Sequence, residues 1–213
     1  AGLLDKRLRL NAATFIYDYT NLQAQDSIAN QPIIRNVGKA EVRGAEVEFA
    51  ALLGNVFQLD GSVTYLDAVF TEGELTEPLR PAPLTDEPGS TLRNLDGLRL
   101  PRAPEWKMNI GAQADFAAFG GDLTLRADYA WQDQVFFTVF NINAASQDSY
   151  GVLRARATYA PGHGQYKVAL FGENLTDETY FTNQILTGTT YGAEFVGSLG
   201  TPRTFGIELS TQF

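Results

Sequence analysis

At 213 residues, with 44% hydrophobic and 19% charged side chains, the chain has no run approaching the ~18 consecutive apolar residues of a membrane helix, which excludes a helical membrane protein. It has no cysteine and a single histidine, His163, so disulfide, thiolate and histidine-cluster metal chemistry are excluded. A formal net charge of -9, with no basic run interleaved with aromatics, argues against nucleic acid as a partner.

The first predicted strand starts near Leu8, and its alternation breaks at 10–12 before Ala13, Phe15, Tyr17 and Tyr19 take over. A bulge there would reset the face. After a long connection at 26–34, Ala45, Val47 and Phe49 alternate with Glu46 and Glu48, which is the period of a half-buried strand. A short glycine-bearing turn at 53–55 follows, then a long connection at 71–100 carrying Pro78, Pro81, Pro83 and Pro88. Next, Trp106, Met108, Ile110, Ala112, Ala114 and Phe116 oppose Glu105, Lys107, Asn109, Gln113 and Asp115. Beyond a turn at 117–121, Leu123, Leu125, Ala127, Tyr129 and Trp131 oppose Thr124, Arg126, Asp128 and Gln132. Beyond a long connection at 140–149, Leu153, Ala155, Ala157 and Tyr159 oppose Arg154, Arg156 and Thr158. A turn at 161–165 and a long connection at 176–200 lead to the end, where Phe205, Ile207, Leu209, Thr211 and Phe213 oppose Gly206, Glu208, Ser210 and Gln212. The count is about eight strands. Short and long connections alternate, so one rim carries tight turns and the other long loops.

Alternation alone suits a soluble sandwich as well as a membrane sheet. Three features favour the membrane. Several strands run to about ten residues, as a tilted bilayer crossing needs, against about 5–6 in sandwiches. Trp106, Phe116, Tyr129, Trp131, Tyr159, Tyr166, Phe205 and Phe213 sit toward segment ends, at the depth aromatic girdles occupy. The polar face carries full charges, which belong in a watery or ion-paired lumen rather than a dry core. A sheet in lipid must pair both edges, so these strands are expected to be part of an up-and-down antiparallel barrel. The chain starts at Ala1 without an initiator methionine or an apolar signal core, so a targeting segment is expected to lie outside it.

Four stretches resemble the C-terminal part of the TonB-dependent receptor family of outer-membrane transporters: residues 36–48 (NVGKAEVRGAEVE), 100–106 (LPRAPEW), 174–180 (NLTDETY) and 200–206 (GTPRTFG), with an aromatic at Phe213. The resemblance implies that residues 1–213 form the last eight of 22 strands, a curved open sheet when taken alone, with the plug domain and coupling segment upstream. It implies active uptake of a scarce ligand (siderophore-bound iron, cobalamin or an oligosaccharide) across the bacterial outer membrane, energised by the TonB complex. It also implies outer-membrane lipid, the plug and the barrel assembly machinery as partners, the last reading Phe205, Ile207, Leu209 and Phe213. No cofactor and no enzymatic activity are implied, and a sole histidine in a turn leaves no base for a nucleophile.

Ligand contacts are expected on the long-loop rim, where Tyr65, Asp67, Arg93, Phe136, Phe137, Tyr180, Phe181 and Tyr191 have no core to fill. Glu46 with Glu48, and Arg154 with Arg156, could be read as an acid–base pair and an anion ladder; ion pairing along a lumen wall, or to a plug, accounts for both more simply. His163 reads as a solvated turn residue. Asn174-Leu175-Thr176 matches a glycosylation pattern without bacterial meaning, and Gly188, Gly192, Gly197 and Gly200 lack a phosphate-cradle spacing. Two other readings remain open. One is a complete eight-stranded barrel acting as anchor or passive pore, which requires the first strand to pair with the last. The other is a soluble carbohydrate-binding sandwich.

Overall fold

Side chains along a strand point alternately to opposite faces, so a chain written with period two builds a sheet with two different surfaces. The structure, a computed structural model, describes residues 2–3, 7–28, 31–76, 92–162, 166–186 and 194–211. Eight strands form an antiparallel meander: β1 (Leu8–Ile28), β2 (Gln31–Leu53), β3 (Phe57–Thr76), β4 (Trp106–Ala118), β5 (Gly121–Gln132), β6 (Tyr150–Pro161), β7 (Tyr166–Glu173) and β8 (Thr204–Thr211). Each pairs with the one before it, and Gly2–Leu3 adds to the far edge of β1. Among the described residues no ladder joins β1 to β8. The sheet is open, so the closed eight-stranded reading does not hold for this chain.

Registers sort the faces. One row runs Leu59, Ala112, Ala127, Ala155, Gly172, Phe205 across six strands, and it is apolar throughout. The apolar run 45–53 of β2, at about 3.4 Å per residue and a ~40° tilt, spans roughly 21 Å, near the ~25 Å apolar band of membrane barrels. Aromatics bound it. Tyr65, Trp106 and Trp131 lie on this face toward the loop rim, with Tyr65 and Trp106 rings 4.9 Å apart, and Phe57, Phe116, Tyr159 and Tyr166 lie toward the turn rim. Just beyond the upper girdle the same face turns charged, with Arg43 paired to Glu41 at 2.6 Å and opposite Asp67. Leu125, Trp106 and Phe205 are 41%, 44% and 73% exposed, so among the described residues this face has no counterpart layer, which counts against the sandwich reading.

Two expectations need correction. The register runs unbroken from Leu8↔Ala51 to Tyr19↔Ala40, so there is no bulge at 10–12. Leu8, Leu10, Ala12, Thr14 and Ile16 are therefore on the apolar face, and Phe15, Tyr17 and Tyr19 on the polar one. Phe15 fits there because its ring lies over Gly44, where a Cβ would approach its ζ carbon to 2.3 Å. The irregularity comes later, between Tyr19 and Gln23, around Asn21 with φ +56. The connection expected at 26–34 is instead a tall hairpin, since pairing continues to Ile28↔Gln31.

Turns follow their residues. Phe119 and Gly120, with φ +52 and +77, close β4 to β5 in the two-residue geometry that matches strand twist. The Tyr159 hydroxyl donates to the Phe119 carbonyl at 2.7 Å. The buried apolar cluster lies beyond the band at the loop rim: Val37, Phe70, Leu75, Leu95 and Phe140, flanked by Leu22, Leu98 and Ile142. Residues 92–100 hydrogen-bond alongside the extension of β3, and the 133–149 connection packs Phe140 onto Phe70's cluster.

Candidate functional site

The polar face begins as an ion-paired wall. Asp60, Gly111 and Asp128 are in register on β3, β4 and β5. The Arg126 guanidinium lies over Gly111, donating to Asp60 Oδ1 at 2.6 Å and Oδ2 at 2.9 Å, and to Asp128. A Cβ at Gly111 would stand 2.0 Å from Arg126 Nη2, so only glycine leaves the fork its seat. Arg154 pairs with Glu173 at 2.8 Å and Arg156 with Glu208 at 2.9 Å, so the two arginines do not form a free anion ladder. Asp115 accepts from Thr124 at 2.6 Å and Gln113 at 2.8 Å. On the same face, Glu46 and Glu48 on β2 and Lys107 on β4 have no ion pair among the described residues.

Above Glu46 stands an aromatic ladder on β1. Phe15 and Tyr17 centroids are 5.2 Å apart and Tyr17 and Tyr19 are 6.4 Å apart, with Tyr17 and Tyr19 about half exposed. This ladder escapes a reading that inserts a bulge at 10–12. The face is set by register with β2, which places Leu8, Leu10 and Ala12 in line with its apolar row.

The loop rim joins three connections. The Phe136 carbonyl accepts from Arg102 N at 2.9 Å, and Phe137 N donates to Ala145 O at 2.8 Å. Arg102 donates to Asn183 Oδ1 at 2.5 Å, and Phe181 N donates to Gln147 Oε1 at 2.7 Å. Tyr180 stacks on Tyr150, centroids 4.2 Å apart at 18°. The Arg93 guanidinium stands 6.0 Å over the Phe140 ring. Of the residues singled out from sequence, Phe136, Phe137, Tyr180 and Phe181 thus gather on the rim, with Arg93 in the neighbouring loop cluster. Tyr65 and Asp67 stand on the outer, apolar face of β3. Phe205, Ile207 and Leu209 are outward on β8; Tyr191, His163, Gly188, Gly192 and Phe213 lie outside the described residues.

A two-faced sheet with an ion-paired inner wall and a looped rim is the geometry of a membrane barrel segment, and the family model described as TonB dependent receptor-like, beta-barrel matches residues 2–175. The chain belongs to this receptor family. No curated protein matches it by sequence. Among solved structures it is similar to the ferric yersiniabactin uptake receptor FyuA from Yersinia pestis, with TM-score 0.76 and 20% identity over 97% of this chain and 28% of that one. The siderophore receptor PiuA from Acinetobacter baumannii gives TM-score 0.71 and 21% identity over 98% and 26%. The pyoverdine outer membrane receptor FpvA from Pseudomonas aeruginosa gives 0.66 and 19% over 99% and 28%. The chain therefore spans about a quarter of the length of these receptors, and its sheet is open among the described residues.

Proposed function

We propose that residues 1–213 form the closing part of the barrel of an outer-membrane receptor that takes up a scarce ligand, of the ferric-siderophore class, energised by the TonB complex. The observation that carries this is the long-stranded sheet with an apolar face between two aromatic girdles, in a chain of this family. Receptors named for siderophores among the structural neighbours favour that ligand class over cobalamin or an oligosaccharide. On this reading the polar face looks into a lumen where the receptor's own plug domain seats against Glu46, Glu48 and Lys107. Phe136, Phe137, Tyr180, Phe181 and the Tyr17–Tyr19 ladder would meet the ligand at the mouth, and Phe205, Ile207 and Leu209 would serve barrel assembly.

The test is uptake of labelled ferric chelates by cells whose only such receptor is the complete protein, with and without collapse of the inner-membrane proton gradient. Saturable uptake that stops on collapse is expected. Passage unaffected by collapse, or none for any chelate, refutes the proposal.

A further inference from the structure

Alternation fixes which face a residue occupies, but only up to slips of one residue. A one-residue slip of β8 would turn Phe205, Ile207 and Leu209 to the polar side and Glu208 to the apolar side, so the pattern rejects it. A two-residue slip preserves both faces. Something else must reject it, because β8 is the short strand Thr204–Thr211 and among the described residues pairs only with β7.

Asn174 is placed to do so. It directly follows β7, is 2% exposed, and holds φ +50, a conformation asparagine tolerates better than most residues. Its Nδ2 donates to Glu178 O at 2.8 Å and to Thr201 O at 3.0 Å, three residues before β8; its Oδ1 accepts from Glu178 N at 3.0 Å. The turn it makes is itself fastened to β6: Leu175 N donates to Leu153 O at 2.8 Å and the Thr176 hydroxyl to Gly151 O at 3.0 Å. Arg203, next to β8, reaches back to Asp177 at 2.8 Å. Three strands are thus tied at one buried amide. Further down, Phe171 lies over Gly206 and Phe205 beside Gly172, where added Cβ atoms would come within 2.3 Å and 3.2 Å of the rings. A slip by two would put other residues in those seats.

We infer that Asn174 is a positioning residue that sets the register of β8 against β7, with the two ring-on-glycine contacts as a second check along the strand. Ladder hydrogen bonds supply the pairing and this clamp selects one pairing among those the alternation permits. The motif around Asn174 then acts on assembly rather than on ligand.

The test uses the complete receptor, in which this stretch contributes no native thiol. Lys167 and Ser210 are register partners on the polar face, at the end of β8 far from the clamp. Lys167→Cys with Ser210→Cys reports the native register on oxidation, and Lys167→Cys with Glu208→Cys reports the slipped one. Native-register product is expected to dominate. Asn174→Ala should lower the native-to-slipped ratio by about tenfold or more, as expected for losing the three hydrogen bonds of a buried amide, one of them to the Thr201 carbonyl just before β8. Asn174→Asp, which keeps Oδ1 but loses both donated bonds, should do the same, whereas Thr179→Ala should not. If Asn174→Ala does not accumulate, the ratio in Asn174→Asp and in Gly206→Ala decides. An unchanged ratio in the Asn174 variants overturns the inference, and so does a slipped product equal to the native one when the cysteine pairs are introduced with Asn174 intact. Since oxidation is read without ligand or energy source, its failure is distinct from a failure of the transport reading.

Discussion

Replacing Leu125 by arginine, set against the same replacement at Thr124 one residue away, tests the assignment of the faces directly. Leu125 lies on the apolar face in register with Ala114 and Ala157, and Thr124 on the polar face with its hydroxyl on Asp115. The apolar positions of β5 run from Leu123 to Trp131, which centres the band on Ala127. Leu125 is two residues off centre, about 7 Å along the strand and roughly 5 Å in depth at a ~40° tilt. An arginine costs about 2–4 kcal/mol at the midplane and about 0–1 near the interface, so interpolation gives about 2 kcal/mol here. Its alanine neighbours mean little packing is lost besides. At Thr124 the new cation stands beside Asp115 and faces the lumen, so the expected change is under about 1 kcal/mol. The assay is urea-dependent folding of the complete receptor into phosphatidylcholine vesicles, read by heat-modifiable gel mobility. Leu125→Arg should shift the equilibrium by roughly thirtyfold and Thr124→Arg by a few-fold at most. Equal shifts, or a larger one at Thr124, would refute the lipid-facing assignment.

Three further outcomes are expected. Gly111→Val drives Arg126 from Asp60 and Asp128 and should destabilise the receptor by about 1–3 kcal/mol, while adding Gly111→Val to Arg126→Ala should have a smaller effect; additive costs in the double-mutant cycle would break the link. Residues 1–213 expressed alone, with β8 and most of β1 unpaired along an edge among the described residues, should aggregate in detergent-free buffer, and a monodisperse scattering profile there would contradict the membrane reading. Tyr17→Ala with Tyr19→Ala, rings exposed on the polar face, should leave folding within about 0.5 kcal/mol and weaken binding of the transported chelate severalfold, as read by titration calorimetry; unchanged affinity would remove the ladder from the mouth.

Most of the sheet was legible because local alternation and global burial agree from Ala45 onward. The turn rim was legible for a related reason: Gly54 and Gly120 take φ +70 and +77, which their positions between alternating runs signal. The first strand was not. Phe15, Tyr17 and Tyr19 look like an apolar face, and only the partner strand, with Gly44 opposite Phe15, reveals that aromatics stand on the polar side. The rim resisted for another reason. Arg102 and Asn183 are 81 residues apart, and Gln147 and Phe181 are 34 apart, and neither pair has a periodic context that would announce it. Tyr65 read as a rim aromatic from sequence, yet its parity with Val63 puts it in the outer girdle against Trp106.

The distribution of charge along the polar face separates what the wall does for itself from what it offers. From β5 to β8 the arginines are matched in place: Arg126 by Asp60 and Asp128, Arg154 by Glu173, Arg156 by Glu208. Such pairs hold their own desolvation, so this half of the wall can stand beside other protein without leaving a naked ion. Toward β1 the pattern changes: Glu46 and Glu48 on β2, and Lys107 on β4 in the row of Glu46, have no ion pair among the described residues, and the aromatic ladder of β1 stands above Glu46. Unmatched carboxylates cannot face a dry space, so what lies before β2 in the complete protein is either water or a surface bearing the opposite charge. On the proposed reading the plug supplies that surface, and the ladder marks where its coverage gives way to the open mouth.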